Sequence, residues 1–210
     1  MQPNKLEERC RKFLDGQNEH DAAHDIAHIK RVVKNSTLIL SNEQADPQIV
    51  IAAAWLHDCI VLSKDHPDRK KASTLAAEKA AEFLSSVGYP ANKIPAVAHA
   101  VEAHSYSGGI PPKTIEAKIV QDADRLDALG AIGIARCFSV GGELKRPIYH
   151  PDDPFVESRE PDDSVWTVDH FYEKLFRLPE LLNTDTAQKM AAERVQYMKS
   201  FLEQLSIEVC

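Results

Sequence analysis

Apolar residues recur along this chain at helical spacing, and no run of alternating β-branched residues reads as a strand. Residues from about 4 to 15 form a short amphipathic pattern ending at Gly16. A second pattern runs from about 25 to 41, with Ile26, Ile29, Val33 and Leu40 on one stripe. Asp46-Pro47 is a helix start signal, with Asp as N-cap and Pro in the first turn. The helix it opens, IVIAAAWLHD, is apolar almost all round, which predicts a place in the middle of a bundle. A polar turn (SKDHPDRK) leads to an Ala-rich helix, ASTLAAEKAAEFLSSV, that stops at Gly88. IPAVAHAVEAH predicts another helix, closed by SYSGGIPP. TIEAKIVQDADRLDALGAIGIARCF reads as the longest helical pattern before the middle of the chain. From Gly141 to about Asp163 the sequence is rich in Pro, Gly and charge and predicts a long loop. VDHFYEKLFRLPELL and TAQKMAAERVQYMKSFLEQL predict two closing helices. The expectation is an all-α fold in a single domain, 1–210, with a core of about 20–140 and a C-terminal helical elaboration of about 164–206. One domain is favoured because the last two helices are too few to bury their own apolar faces.

A length of 210 residues can bury a core without disulfides or a structural metal. The net charge of −7 argues against a binder of nucleic-acid polymers, which needs a basic face. An acidic chain that handles phosphates must do so locally, with a metal or a few cationic side chains. Cys10, Cys59, Cys137 and Cys210 are scattered and read as reduced thiols, with no zinc knuckle. The N-terminus is charged throughout, and no stretch approaches the roughly 18 apolar residues a spanning helix needs. These features predict a cytoplasmic protein without a membrane partner.

Four residues carry the candidate chemistry: His28, the dipeptide His57-Asp58, and Asp124. His57-Asp58 closes a helix whose preceding turns are wholly apolar, where ionisable groups are costly unless paired or metal-bound. Taken alone, the dipeptide reads equally as an exposed helix C-terminus with His at the negative dipole end. His28 and Asp124 move the balance to metal. In QDADRLDALGAIGIAR, Asp122 has Lys118 four residues back and Arg125 three ahead, which predicts a solvated face. Asp124 shares its face with Val120, Ala128, Ala131 and Ala135, and is the better ligand; Asp127 is the expected catalytic or supporting partner. Two imidazoles and two carboxylates suit one divalent ion: Mn, Mg, Co, Ni, Fe or Zn.

With these residues in view, the pattern His28…His57-Asp58…Asp124 resembles the H…HD…D signature of the HD-domain phosphohydrolase superfamily. HDIAHIKRV at 24–32, AAAWLHD at 52–58, EAHSYS at 102–107, QDADRLDALGAIGIAR at 121–136 and HFYEKLFRL at 170–178 are similar to one branch of small HD hydrolases. The resemblance implies a helical fold around one divalent metal held by His28, His57, Asp58 and Asp124, and hydrolysis of a phosphoester or phosphoanhydride. A nucleotide is the substrate it implies. In one departure, the stretch after HD is CIVLSKD, apolar until Lys64 and Asp65, where a common subgroup has an acid.

His104, on the Val97, Ala100, Val101 face, is a candidate catalytic residue, or a satisfied core histidine. His99 falls on another face. Arg31 lies one turn after His28 and is a candidate phosphate clamp, as are Lys70 and Lys71, next to Arg69, and Lys174, four residues after His170. For each, a surface ion pair or solvated face is the alternative. Asp25, after His24, reads as a helix cap, and Tyr149 and His150 lie in the long loop. Rival readings are an HD-type di-iron oxygenase using His99 and His104, a non-catalytic nucleotide-binding module, and a purely structural helical protein. The chain is expected to act as a monomer or homodimer on a small phosphorylated molecule.

Overall fold

Pro47–Leu56 forms α3, the helix on which the first part of the chain is assembled. The Asp46 side chain accepts a hydrogen bond from the Gln48 N–H at 2.9 Å, so it caps the first turn as the Asp-Pro signal predicts. Lys93 Nζ lies 2.6 Å from the other Asp46 oxygen. Val50, Ala52, Ala53, Ala54, Trp55 and Leu56 are all buried, as a helix without a polar face requires.

The structure is a computed structural model that describes residues 3–15, 26–62, 66–105 and 108–209. Gly16, His24, Asp25, Lys64, Asp65 and Cys210 lie outside the described residues. Among the described residues there are nine α-helices, three 3-10 segments and no strand, so the fold is all-α. The chain divides into two compact units, Met1–Asp124 and Arg125–Cys210.

In the first unit, α3 packs against α1 (Pro3–Asp15), α2 (Ile26–Leu40) and α5 (Ile94–Ala103). The Ala-rich α4 (Ala72–Ser86) lies along α5; its alanines allow close approach, and Ala76, Ala77 and Ala80 are buried. It ends before Gly88, whose φ of 67° turns the chain. The next helix is α6 (Ile115–Leu126). Asn35 of α2 donates to the carbonyl of Ala123 at 3.0 Å, and Gln121 of α6 donates to the carbonyl of Ala103 at 2.7 Å. Both side chains are buried, so these bonds fix α6 against α2 and the end of α5.

In the second unit, α7 (Gly130–Glu143) packs on the long closing helix α9 (Asp185–Val209). Between them come α8 (Asp169–Glu173) and a 3-10 stretch, Leu175–Leu181. Phe138, Phe171 and Phe201 form a ring cluster with centroids 5.9–6.4 Å apart. The segment 144–168 is a long loop with its own polar scaffold. Arg159 donates to the buried Asp169 at 2.7 Å and to the carbonyl of Asp153 at 3.1 Å. The Asp153 carboxylate accepts from the N–H groups of Glu157 and Ser158, which hold its pKa down at about 2.

Three sequence expectations are corrected. The pattern read as one long helix over 114–138 is two helices, α6 and α7. Leu129 is extended and Gly130 has φ 73°, a left-handed conformation open to Gly, so the helix cannot run through. The α7 helix continues through Gly141 and Gly142, so the loop begins later than Gly141. VDHFYEKLFRLPELL holds only five α-helical residues before its 3-10 stretch, where Pro179 cannot donate into an α ladder. No described helix is long and apolar enough to cross a membrane.

Candidate metal centre

His28 lies in the first turn of α2, His57 and Asp58 follow the last turn of α3, His104 follows α5, and Asp124 is near the end of α6. Each side chain is therefore delivered by a helix end or a packed helix face. Their polar atoms converge. His28 Nε2 is 3.2 Å from His57 Nε2, 3.6 Å from Asp58 Oδ2 and 3.4 Å from Asp124 Oδ1. His57 Nε2 is 3.4 Å from Asp58 Oδ2 and 4.0 Å from Asp124 Oδ1. His28 and His57 are buried; the side chains of Asp58 and Asp124 are 16% and 28% exposed, so the cluster opens on the carboxylate side.

Backbone carbonyls set the orientation of two imidazoles. His57 Nδ1 lies 2.9 Å from the carbonyl of Ala54, and His104 Nδ1 lies 2.6 Å from that of Val101. A carbonyl only accepts, so both Nδ1 atoms carry a proton and Nε2 is the nitrogen turned to the cluster, a donor to Asp58 when the ring is protonated and a lone pair for an ion when it is neutral. For His57 that lone pair faces His28 Nε2 and two carboxylates. The donor set fits a divalent cation. Ligand atoms on an ion with bonds of about 2.1 Å lie roughly 3.0–3.4 Å apart, close to the separations around His28 and His57. The ligand atoms of His28, His57 and Asp58 all lie within 4.8 Å of one another, as one ion requires.

His104 extends the cluster. Its ring meets His57 edge-on at 4.9 Å, and its Nε2 is 3.2 Å from Asp58 Oδ1. Burial would lower the His104 pKa, but the hydrogen bond to Asp58 and the charges of Asp58 and Asp124 win and raise it. Burial would likewise raise the Asp58 carboxyl; the neighbouring His57 charge and hydrogen bonds from His104, His28 and His57 hold it well below the usual carboxylate range.

The other sequence candidates sit elsewhere. Asp122 is fully buried, which corrects the solvated face expected of it: α6 is covered around most of its circumference. Asp127 is also buried, and its Oδ2 accepts from Arg136 at 2.8 Å. His99 Nε2 accepts from the Lys113 N–H at 3.0 Å. Lys71 is exposed and pairs with Asp68 at 2.9 Å; Lys70 is exposed. Lys174 pairs with Asp163 at 2.7 Å, and His170 shares the same oxygen. Arg31 is half-buried. Sequence reasoning missed Asn35 and Gln121, the groups that dock α6 beside the cluster. Asn35 does carry a signal: it lies seven residues after His28, two turns along the same face.

Comparison with known proteins identifies the family. Residues 25–129 match the HD domain family. The chain is 32% identical over 214 residues to YpgQ of Bacillus subtilis (strain 168), covering 100% of this chain and 96% of that protein. The crystal structure of B. subtilis YpgQ in complex with ADP superposes with a TM-score of 0.76 at 32% identity, over 100% of this chain and 97% of that one. An HD-superfamily hydrolase of Bacillus thuringiensis superposes with a TM-score of 0.75 at 34% identity, over 98% and 96% of the two chains. By sequence match and by structure, this chain belongs to the HD-domain family.

Proposed function

We propose that the protein is a metal-dependent phosphohydrolase that cleaves a phosphoester or phosphoanhydride of a nucleotide, using one divalent ion held by His28, His57, Asp58 and Asp124. The observation that carries the reading is the convergence of those four side chains with the His57 lone pair turned into the cluster. A divalent ion bound there supplies a Lewis acid for a phosphoryl oxygen and makes water more acidic. The protein's own groups complete the chemistry. Asp58 presents Oδ2 to the two buried imidazoles and Oδ1 to His104. His104 Nε2 is the atom positioned to hold or release a proton, because its Nδ1 proton is committed to Val101. Asp127 is engaged by Arg136, which favours His104 over Asp127 in that role. Of the cations proposed to meet phosphate, Lys71 and Lys174 must leave Asp68 and Asp163 to do so; Arg31 is half-buried and Lys70 exposed. The nucleotide preference draws on YpgQ, whose structure holds ADP. A di-iron oxygenase would need His99 as well as His104, and His99 Nε2 is occupied by Lys113.

The test is hydrolysis of a panel of nucleoside mono-, di- and triphosphates by chelated protein, with Mn, Mg, Co, Ni, Fe or Zn restored singly. Release of phosphate or pyrophosphate should depend on the metal. Asp58→Ala should lose bound metal and turnover together, while full turnover by that variant would overturn the ligand assignment.

A further inference from the structure

The second unit contains a cavity of about 170 Å³ lined by residues between Ala128 and Leu175. That is more than one water or a simple ion fills. Its lining combines two chemistries. Val140, Leu175 and Cys137 are apolar. Burial pushes the Cys137 thiol up to about 12, so it is neutral and behaves as part of the apolar lining. Arg136, Arg146 and His170 supply basic groups.

Their existing partners decide what the cavity can accept. Arg136 is held by Asp127 at 2.8 Å. His170 and Lys174 share one oxygen of Asp163, each at 2.7 Å. Arg146 has no hydrogen bond or salt bridge to its guanidinium among the described residues; only its N–H is engaged, by the carbonyl of Gly141. The lining therefore holds two permanent cations, Arg136 and Arg146, and no carboxylate; of the two, Arg136 is paired, with Asp127 outside the lining. The cavity carries a surplus positive charge and an unused planar fork of donors. That fork matches an oxyanion, while the apolar lining matches an apolar body.

We propose that this cavity binds a small phosphorylated molecule with an apolar or aromatic body, its phosphate held by Arg146 with Arg136 beside it. The site lies wholly in the second unit, and the inference does not rest on the proposed hydrolysis at the His-Asp cluster.

Calorimetry on chelated, metal-free protein tests it, with phenyl phosphate as probe. Phenyl phosphate should bind, and phenol and inorganic phosphate should each bind at least about tenfold more weakly, since each lacks one half of the match. Arg146→Gln should weaken phenyl phosphate at least about tenfold. Arg146→Lys, which keeps the charge but not the fork, should fall between the two. Val140→Phe, which fills the cavity without changing charge, should abolish binding; circular dichroism verifies that each variant is folded. The proposal is overturned by no binding at millimolar probe, or by binding that folded Arg146→Gln and Val140→Phe proteins retain within twofold. Because metal is absent, failure here leaves the metal-dependent nucleotide assay to stand or fall by itself.

Discussion

His57 shows how a single residue can be read from sequence and still need the fold. A His-Asp pair ending ten apolar-dominated residues signals chemistry because an unpaired charge there would be costly. The spacing cannot say which ring nitrogen faces the site; the carbonyl of Ala54 decides that by accepting a hydrogen bond from Nδ1–H. Asp122 shows the opposite. Its i−4 and i+3 charged neighbours suggested solvent, yet it is fully buried, because local charge pairs do not report what packs on a helix from outside. Asn35 acts at the same scale. Its amide anchors the Ala123 carbonyl, one residue before Asp124. Asn35→Ala should therefore lower affinity for the divalent ion roughly 10–100-fold, the range seen when support for a ligand is lost. Titration of chelated variant and parent with Mn measures this. Equal affinities would mean that α6 is held in place without Asn35.

Most helices were legible as elements, because their signals are local. The Asp46-Pro47 cap, the all-round apolar α3 and the stop at Gly88 each lie within a few residues. The break between α6 and α7 was not legible, since apolar residues continue at helical spacing through Leu129 and Gly130. Geometry at Gly133 shows why the break persists. A Cβ there would lie 2.2 Å from the carbonyl oxygen of Ala128, so the chain turning into α7 closes directly over this glycine. In an open helix, Gly→Ala would stabilise by about 1 kcal/mol. Here the sign reverses, because the obstacle is backbone and cannot swing aside. Gly133→Ala should destabilise by about 1–3 kcal/mol, the usual range for overpacking. A lower urea midpoint at unchanged slope would show it; a higher midpoint would mean that the α6–α7 turn relaxes freely.

At the scale of the molecule, the net charge of −7 gives an anionic substrate no long-range attraction, so positive charge must be concentrated where phosphate binds. In the proposed reading, the His-Asp cluster does this by recruiting a cation. Its proposed ligands are distant in sequence: His28 on α2, His57 and Asp58 after α3, and Asp124 on α6. The unfolded chain cannot hold them together, so an ion that binds all four favours the folded first unit. At about 100 times its dissociation constant, the ion contributes about 2.7 kcal/mol. For a chain of this length, each kcal/mol raises Tm by roughly 2–4 °C. Restoring Mn to chelated protein should therefore raise Tm by roughly 5–10 °C, with added hydrogen-exchange protection in α2, α3 and α6. Asp58→Ala should lose most of that shift, because three ligands remain where four were assembled. If the parent and the variant gain the same increment, the stabilising ion sits elsewhere on this acidic surface, and the cluster is not what the metal ties together.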